Sequence, residues 1–340
     1  YEAAQARADN DSRTLGSATL ASMRRHPFRI AVSDAGGALP MWQLVGLARV
    51  LIRQLALPKL GLPKLGLPKG EQSIGVLLPP GRSGSLVNLA LILSGRTAIN
   101  LNHTVGNAQL QRMCELAHIH TIISATPYLK RLGDLALKQQ VVLLDEIMAK
   151  PSKIAVVVAA IGAYCKPLRW LDHAQPKSVA TVIFSSGSTG DPKGVELTHQ
   201  QLLANIRAVS EGLELNNDSD VVLSPLPLFH SFGLVPGFWL GLVLGIPVAS
   251  QPDPTDAKAL GKLAASSRAT FLLSTPTFIR NYLRRVEPEQ FSTLRFAVAG
   301  AERCPADLKE QFLARFGATL LEGYGLSLIH ISEPTRLRRI

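Results

Sequence analysis

Ser73-Ile-Gly-Val-Leu-Leu-Pro-Pro80 is a short apolar run closed by two prolines. Residues 83–94 follow as a helix-compatible stretch stopped by Gly95, and Thr97-Ala-Ile-Asn-Leu101 is a second apolar run. The pattern then repeats: residues 108–117 read as a helix and Thr121-Ile-Ile-Ser124 as a strand. Strand, helix and strand at this spacing form a βαβ unit, which requires a mostly parallel sheet. The rhythm returns at residues 179–184, 200–211, 221–224, 258–267, 270–274, 294–299 and 305–316. These runs predict an α/β protein with two mostly parallel sheet lobes and helices packed on them.

Outward from that stretch, the chain has 340 residues, enough for about two domains and a sizeable core. Hydrophobic residues at 46% and charged residues at 18% exclude global disorder. Three well-separated cysteines, Cys114, Cys165 and Cys304, exclude a disulfide framework and a clustered cysteine zinc site, and fit a reducing, cytoplasmic compartment. Residues 1–26 are polar and Ala-rich and read as a linker or a frayed lead-in, without a signal-peptide pattern. A chain that starts at Tyr1 is also expected to be a piece of something longer. Residues 41–57 are helix-compatible. Residues 57–70 repeat a Leu-Pro-Lys-Leu-Gly unit, whose proline and glycine density prevents both helix and strand, so they read as a low-complexity surface insertion.

The net charge of +11 comes from scattered cations, with no helical basic stripe and no aromatic ladder. A solvated basic surface is the first reading and an anionic membrane face the second; nucleic acid is not expected. Residues 231–249 carry no charge and place Gly233, Gly237, Gly241 and Gly245 four apart, near one helix face. Pro236 and Pro247 leave about ten residues of clean helix against about twenty needed to span a bilayer, so a buried helix leading into a strand is expected.

The sharpest chemical feature is Thr181-Val-Ile-Phe-Ser-Ser-Gly-Ser-Thr-Gly-Asp-Pro-Lys-Gly194. An apolar strand runs into Ser185, Ser186, Gly187, Ser188, Thr189 and Gly190. Glycines let backbone N–H groups turn toward an anion, hydroxyls add donors, and Lys193 adds a point charge. This is a phosphate cradle but not a Walker A loop, because Pro192 precedes the lysine and Gly194 follows it. No dinucleotide fingerprint follows a strand, and Gly81-Arg-Ser-Gly-Ser85 lacks the last glycine of a nucleophile elbow.

The run from Ser185 to Gly194 resembles the signature loop of the adenylate-forming superfamily: acyl-CoA synthetases, luciferases and peptide-synthetase adenylation domains. Three more matches come in order. Pro227-Leu-Phe-His-Ser-Phe-Gly233 resembles the family's substrate gate, Ala299-Gly-Ala-Glu302 its adenine-site turn, and Glu322-Gly-Tyr-Gly325 the segment whose tyrosine stacks on adenine. The resemblance covers residues 27–325, one synthetase N-terminal domain. Within the superfamily the wording is closest to the acyl-ACP synthetase half of the bacterial acyltransferase/acyl-ACP synthetases that recycle lysophospholipid. The stretches that suggest it are Val76-Leu-Leu-Pro-Pro80 with Ile99-Asn-Leu-Asn-His-Thr104, residues 187–194, and Ala299-Gly-Ala-Glu302 ahead of Leu321-Glu-Gly-Tyr324.

The resemblance implies activation of a fatty acid by ATP with Mg2+, through an acyl-adenylate, for an acyl carrier protein or CoA thiol. It also implies a cytoplasmic protein, with the inner face of the bacterial inner membrane as a place of peripheral attachment. Ser185, Ser186, Gly187, Ser188, Thr189, Gly190 and Lys193 would grip the phosphates. Gly300, Ala301, Glu302, Gly323, Tyr324 and Gly325 would hold adenine. His230 and Lys193 would serve the reaction, and Phe229, Gly233, Gly237 and Gly241 would line the acyl pocket.

The pattern breaks after Gly325. The resemblance implies a hydroxyl residue and then a magnesium-binding glutamate, but Ser327 is followed by Leu328, which cannot ligate a hard cation, so no metal ligand is assigned. Residues 326–340 read like a translated adapter, a non-native tail. The family's ribose-binding aspartate, hinge and small C-terminal domain have no counterpart, and no His-x-x-x-x-Asp acyltransferase motif precedes the synthetase part. Two rivals therefore stay open beside the acyl-ACP synthetase: a generic long-chain acyl-CoA ligase, and a non-catalytic nucleotide- or lipid-binding fragment.

Overall fold

Thirteen short strands carry the apolar runs, and a computed structural model of the chain describes residues 12–56, 72–133, 135–148, 151–166, 174–186 and 191–323. In chain order they are β1 (Ile30–Asp34), β2 (Gly37–Pro40), β3 (Ser73–Val76), β4 (Thr97–Asn100), β5 (Thr121–Ser124) and β6 (Gln140–Leu143). After them come β7 (Val179–Ser186), β8 (Pro192–Thr198), β9 (Val222–Ser224), β10 (Val248–Ser250), β11 (Phe271–Ser274), β12 (Phe296–Ala299) and β13 (Thr319–Glu322).

Two sheets hold eleven of these strands. The first has the order β4-β3-β5-β6 and is parallel throughout. The second has the order β13-β12-β11-β9-β10-β1-β2, parallel except for β2 at its edge. The strands β4, β5 and β9 to β12 are buried from end to end, as both-faces-covered parallel strands must be, which is why they read as continuous apolar runs rather than as alternation; β1, β2, β6 and β13 are only partly covered. The Arg82–Leu93 helix is buried nearly all round, and its apolar residues join the largest core cluster together with strands of both sheets. Gly81 enters it at φ 120°, a conformation a side chain would strain. Asp34, from the end of β1, accepts from the Arg82 backbone N–H and from Nε, both at 2.9 Å, and so ties the large sheet to this helix. The two sheet lobes of the sequence reading are thus present.

Three expectations need correction. Residues 15–25 are not a linker: Leu15–Arg25 is a helix with a Thr14–Ser17 capping box and a buried face that includes Leu15, Leu20 and Met23. Ala18, Thr19 and Ser22 pack in its buried face, and their small size hid the period. Second, residues 179–198 do not start another βα unit. β7 and β8 form a separate antiparallel hairpin, in which Ser185 pairs with Lys193. It lies along β4, where Thr97 Oγ1 donates to the Val179 carbonyl at 2.9 Å and Thr181 Oγ1 to the Ala98 carbonyl at 2.6 Å.

The third concerns the uncharged stretch. It is a buried helix leading into β10, as expected, but its middle, Val235–Trp239, is a π-helical turn. Pro236 has no N–H to donate, which removes one bond of a regular α-ladder there. The glycines in it pack tightly. A Cβ on Gly233 would strike the Pro227 carbonyl, one on Gly237 would lie 2.5 Å from Ser224 Oγ, and one on Gly241 would strike the Val248 side chain. Gly241 would also put a Cβ 2.7 Å from the Ile246 carbonyl. The stripe faces the protein's own strands and loops at close range rather than an open channel. The repeat at residues 57–70, which follows the helix Met41–Ala56, and the tail at 326–340 lie outside the described residues.

Candidate functional site

Parallel strands send all their outgoing loops to one edge, so chemistry collects at their C-terminal ends. In the large sheet, β9 leads to Phe229 and His230, β11 to Thr277, β12 to Gly300, Ala301 and Glu302, and β13 to Gly323. These loops touch one another. The Phe232 ring packs on Gly300, where a Cβ would come within 2.9 Å of it. Glu302 accepts from Thr277 Oγ1 at 2.6 Å, joining the β11 and β12 loops. The Gly323 N–H donates to the Ala299 carbonyl at 2.8 Å, joining β13 to β12. Ala301 adopts φ 68°, a left-handed conformation uncommon for alanine, held by the turn around it.

The small sheet reaches the same place. His103, three residues beyond β4, meets Phe229 edge-on with ring centroids 5.4 Å apart, and Phe229 lies 4.7 Å from His230. Tyr128, in the helix Thr126–Leu132 that follows β5, meets His103 edge-on at 5.7 Å. Arg131 on that helix pairs with Asp253, beyond β10, at 3.1 Å. The C-terminal edges of the two sheets therefore face each other across an aromatic joint.

The electrostatics favour neutral groups in the joint. Desolvation lowers the pKa of His230 even though part of its ring is open, and desolvation with Arg131 nearby lowers that of His103. Burial pushes the Tyr128 phenol up to about 12. Both shifts favour the neutral imidazole, which can hydrogen-bond a carboxylate without forming an ion pair. Two hydroxyls are buried at strand ends, Ser224 Oγ on β9 and Ser274 Oγ on β11; Ser224 Oγ has no hydrogen-bond partner among the described residues, and Ser274 Oγ lies beside the Tyr282 phenol. Buried polar atoms are rarely left without a partner, and both hydroxyls sit at the edge where the loops converge.

Of the phosphate-loop residues, Ser185 is half-buried on β7 and Lys193 exposed on β8, at the mouth of the hairpin. Ser186 closes β7 opposite Pro192. Gly187, Ser188, Thr189 and Gly190 lie outside the described residues, as do Tyr324 and Gly325. Gly300, Ala301, Glu302 and Gly323 come together with Phe229 and His230. Gly233, Gly237 and Gly241 are spent on packing. Sequence reasoning missed His103 and Tyr128 as site residues; the signal available was His103 directly after a strand, in the Asn100-Leu-Asn-His103 phrase. Next to the β13 loop is an open hollow of about 590 Å³ lined by Arg303, Cys304, Lys309 and Glu322 among others. Glu322 already accepts from Cys304 N and Lys309 Nζ, which holds its carboxyl below the usual range. Among the described residues no group of three His, Cys, Asp or Glu side chains could hold a metal ion.

Comparison with known proteins gives a consistent result. The family described as AMP-binding enzyme matches residues 58–327. The sulfoacetate–CoA ligase of Cupriavidus necator is 30% identical over 75% of this chain and 49% of its own length. The long-chain-fatty-acid–CoA ligase of Bacillus subtilis is 30% identical over 44% of this chain and 27% of its own. The chain thus spans between about a quarter and a half of the length of these relatives. Among solved structures, a benzoate CoA ligase from Burkholderia xenovorans superposes with TM-score 0.74 at 19% identity, over 92% of this chain and 61% of that one. The o-succinylbenzoate CoA synthetase of Bacillus subtilis gives 0.73 at 19% identity, over 91% and 58%. At that identity these likenesses speak for the fold.

Proposed function

The chain belongs to the AMP-binding enzyme family, and on that premise we propose that it carries the nucleotide- and acid-binding part of an AMP-forming acid–thiol ligase acting on a fatty acid. The observation that carries the reading is the convergence of Phe229–His230, Gly300–Glu302 and Gly323 on one sheet edge, opposite the His103–Tyr128 edge of the other.

In the first step a carboxylate oxygen attacks the α-phosphorus of ATP, the bond to the bridging oxygen breaks, and pyrophosphate leaves with the electron pair. In the second a thiol sulfur attacks the acyl carbon, AMP leaves with the pair, and the thiol proton passes to solvent. The protein's part is positioning and charge neutralisation. Lys193 and the hydroxyls of Ser185, Ser186, Ser188 and Thr189 take the phosphates, the Gly300–Glu302 turn with Tyr324 takes adenine, and His230 orients the carboxylate as a neutral hydrogen-bonding group. Phe229 forms the apolar side of the acid site. Magnesium would be held by the ATP phosphates with one or two protein carboxylates, and Leu328, where the resemblance implies a glutamate, cannot supply one.

Relatives named as CoA ligases support a thiol acceptor. An acyl carrier protein as that acceptor, and lysophospholipid recycling as the setting, rest on the sequence wording alone. We place the protein in the cytoplasm with peripheral attachment to an anionic membrane; no helix among the described residues is long and apolar enough to cross one. The rival reading as a non-catalytic binding chain draws on Leu328. Exchange of labelled pyrophosphate into ATP, measured across carboxylic acids, separates them. Exchange that depends on a long-chain fatty acid supports the ligase, and exchange driven equally by short aromatic acids removes the fatty-acid assignment.

A further inference from the structure

Nine large hydrophobic residues stand exposed among the described residues, and five of them are on one helix, Lys153–Cys165. Ile154 is 76% exposed, Val158 58% and Ile161 57%, with Val157 and Tyr164 also open. Their spacing of three, four, seven and ten residues from Ile154 places them on one face. The opposite face, Val156, Ala159, Ala160 and Ala163, is buried. It packs on the Met41–Ala56 helix, where Gly46 lets the Val156 backbone come close. The helix is therefore fixed to the body by its small residues and leaves its large ones uncovered.

Charge decides what covers them. Exposed Lys153 and Lys166 close the two ends of the stripe. Arg24 places its guanidinium 5.9 Å from the centre of the Tyr164 ring, and exposed Arg25 follows it. Residues 147–171 contain four cations and no aspartate or glutamate. A protein partner would favour an apolar core with few lysines at its margin. An apolar stripe bordered by lysine and arginine, on a helix too short to span, is instead the pattern of a helix lying in the plane of an anionic bilayer.

The geometry points to the exposed face of Lys153–Cys165, with Lys153, Lys166, Arg24 and Arg25 around it, as a docking surface for an anionic phospholipid membrane. This rests on the peripheral-membrane part of the proposed function and not on its ligase chemistry. Apolar side chains enter the acyl boundary while the cations meet headgroup phosphates. Because the stripe is exposed, substitutions there leave the packed face intact.

The test is flotation of the full chain with vesicles of phosphatidylcholine alone or mixed with phosphatidylglycerol. The parent should float with the mixed vesicles only, and less as salt rises. Val158→Glu with Ile161→Glu should weaken binding at least tenfold with unchanged thermal unfolding. Lys153→Gln with Lys166→Gln should weaken it about fivefold per cation. An environment-sensitive fluorophore on exposed Cys165 should shift to the blue with mixed vesicles. No flotation of the parent would overturn the membrane reading itself. Flotation unchanged in Val158→Glu with Ile161→Glu would keep that reading and overturn this surface. A solution dimer that the same double variant dissolves would assign the face to a second copy and overturn it as well.

Discussion

The β7–β8 hairpin and the C-terminal edge of the seven-stranded sheet hold the two halves of the candidate site in different ways. The hairpin is a two-stranded sheet of its own, fixed to β4 by two threonine hydroxyls and some apolar side chains, with Lys193 out in solvent. The sheet edge is over-determined: Phe232 on Gly300, Glu302 on Thr277 and Gly323 on Ala299 lock neighbouring loops together. On the proposed assignment, the side chains that would meet the phosphates sit on the lighter support, and those that would align a carboxylate with a nucleotide sit on the more rigid one.

The comparison breaks most easily at the glycine stripe. Gly241→Val places carbon against the Ile246 carbonyl and Val248, so it should cost about 3 kcal/mol in urea unfolding. A folded, stable Gly241→Val protein with a shifted preference for acyl length would restore the glycine as a tunnel wall.

The next effect lies where the helix His199–Gly212, which follows β8, meets the body. His199 is buried, and its Nδ1 accepts from the Leu15 N–H at 3.4 Å, so it must stay unprotonated. Desolvation lowers its pKa to about 4. Its stabilising contribution is complete above the ordinary histidine value and is lost as pH falls toward 4, because the unfolded chain takes up the proton first. The loss between pH 7 and pH 5 should be about 2 kcal/mol. His199→Leu should flatten the urea midpoint across that window, and a parent protein equally stable at both pH values would contradict the buried-histidine account.

A smaller effect belongs to the loop ties. Thr277→Val removes the hydroxyl on Glu302 and should cost about 1 kcal/mol in thermal unfolding. An unchanged melting temperature would show the tie to be idle. Smallest in stability is Lys193→Ala with Thr189→Ala, expected within about 0.5 kcal/mol of the parent. Pyrophosphate exchange, if the hairpin grips phosphate, should still fall about a hundredfold. Undiminished exchange would remove the hairpin from the site.

The sequence revealed the parts that repeat and the parts that carry unusual residues. Apolar runs of four to six residues mark strands buried on both faces, so the α/β class was legible from residues 73–124. The Ser186-Gly-Ser-Thr-Gly190 run stands out in the sequence because few other roles ask for it, and residues 187–190 of it lie outside the described residues. Topology was less so. Pro192-Lys-Gly194 reads as loop chemistry, yet it pairs as β8, because proline at a strand start needs no ladder donor. The Leu15–Arg25 helix was hidden by its small residues. His103 and Tyr128 were missed because they reach the site through a joint between two sheets, and nothing local to either residue records which sheet it will face.

The central claim is that nucleotide and acid bind at one continuous place, where the two sheet edges meet. It is tested most directly by calorimetric titration of this chain with a long-chain acyl-sulfamoyl adenosine, a non-hydrolysable mimic of the acyl-adenylate, beside AMP and the free fatty acid. A contiguous site predicts that the mimic binds at least tenfold more tightly than either part and is displaced by both. A mimic that binds no better than AMP, or that fatty acid fails to displace, would contradict it.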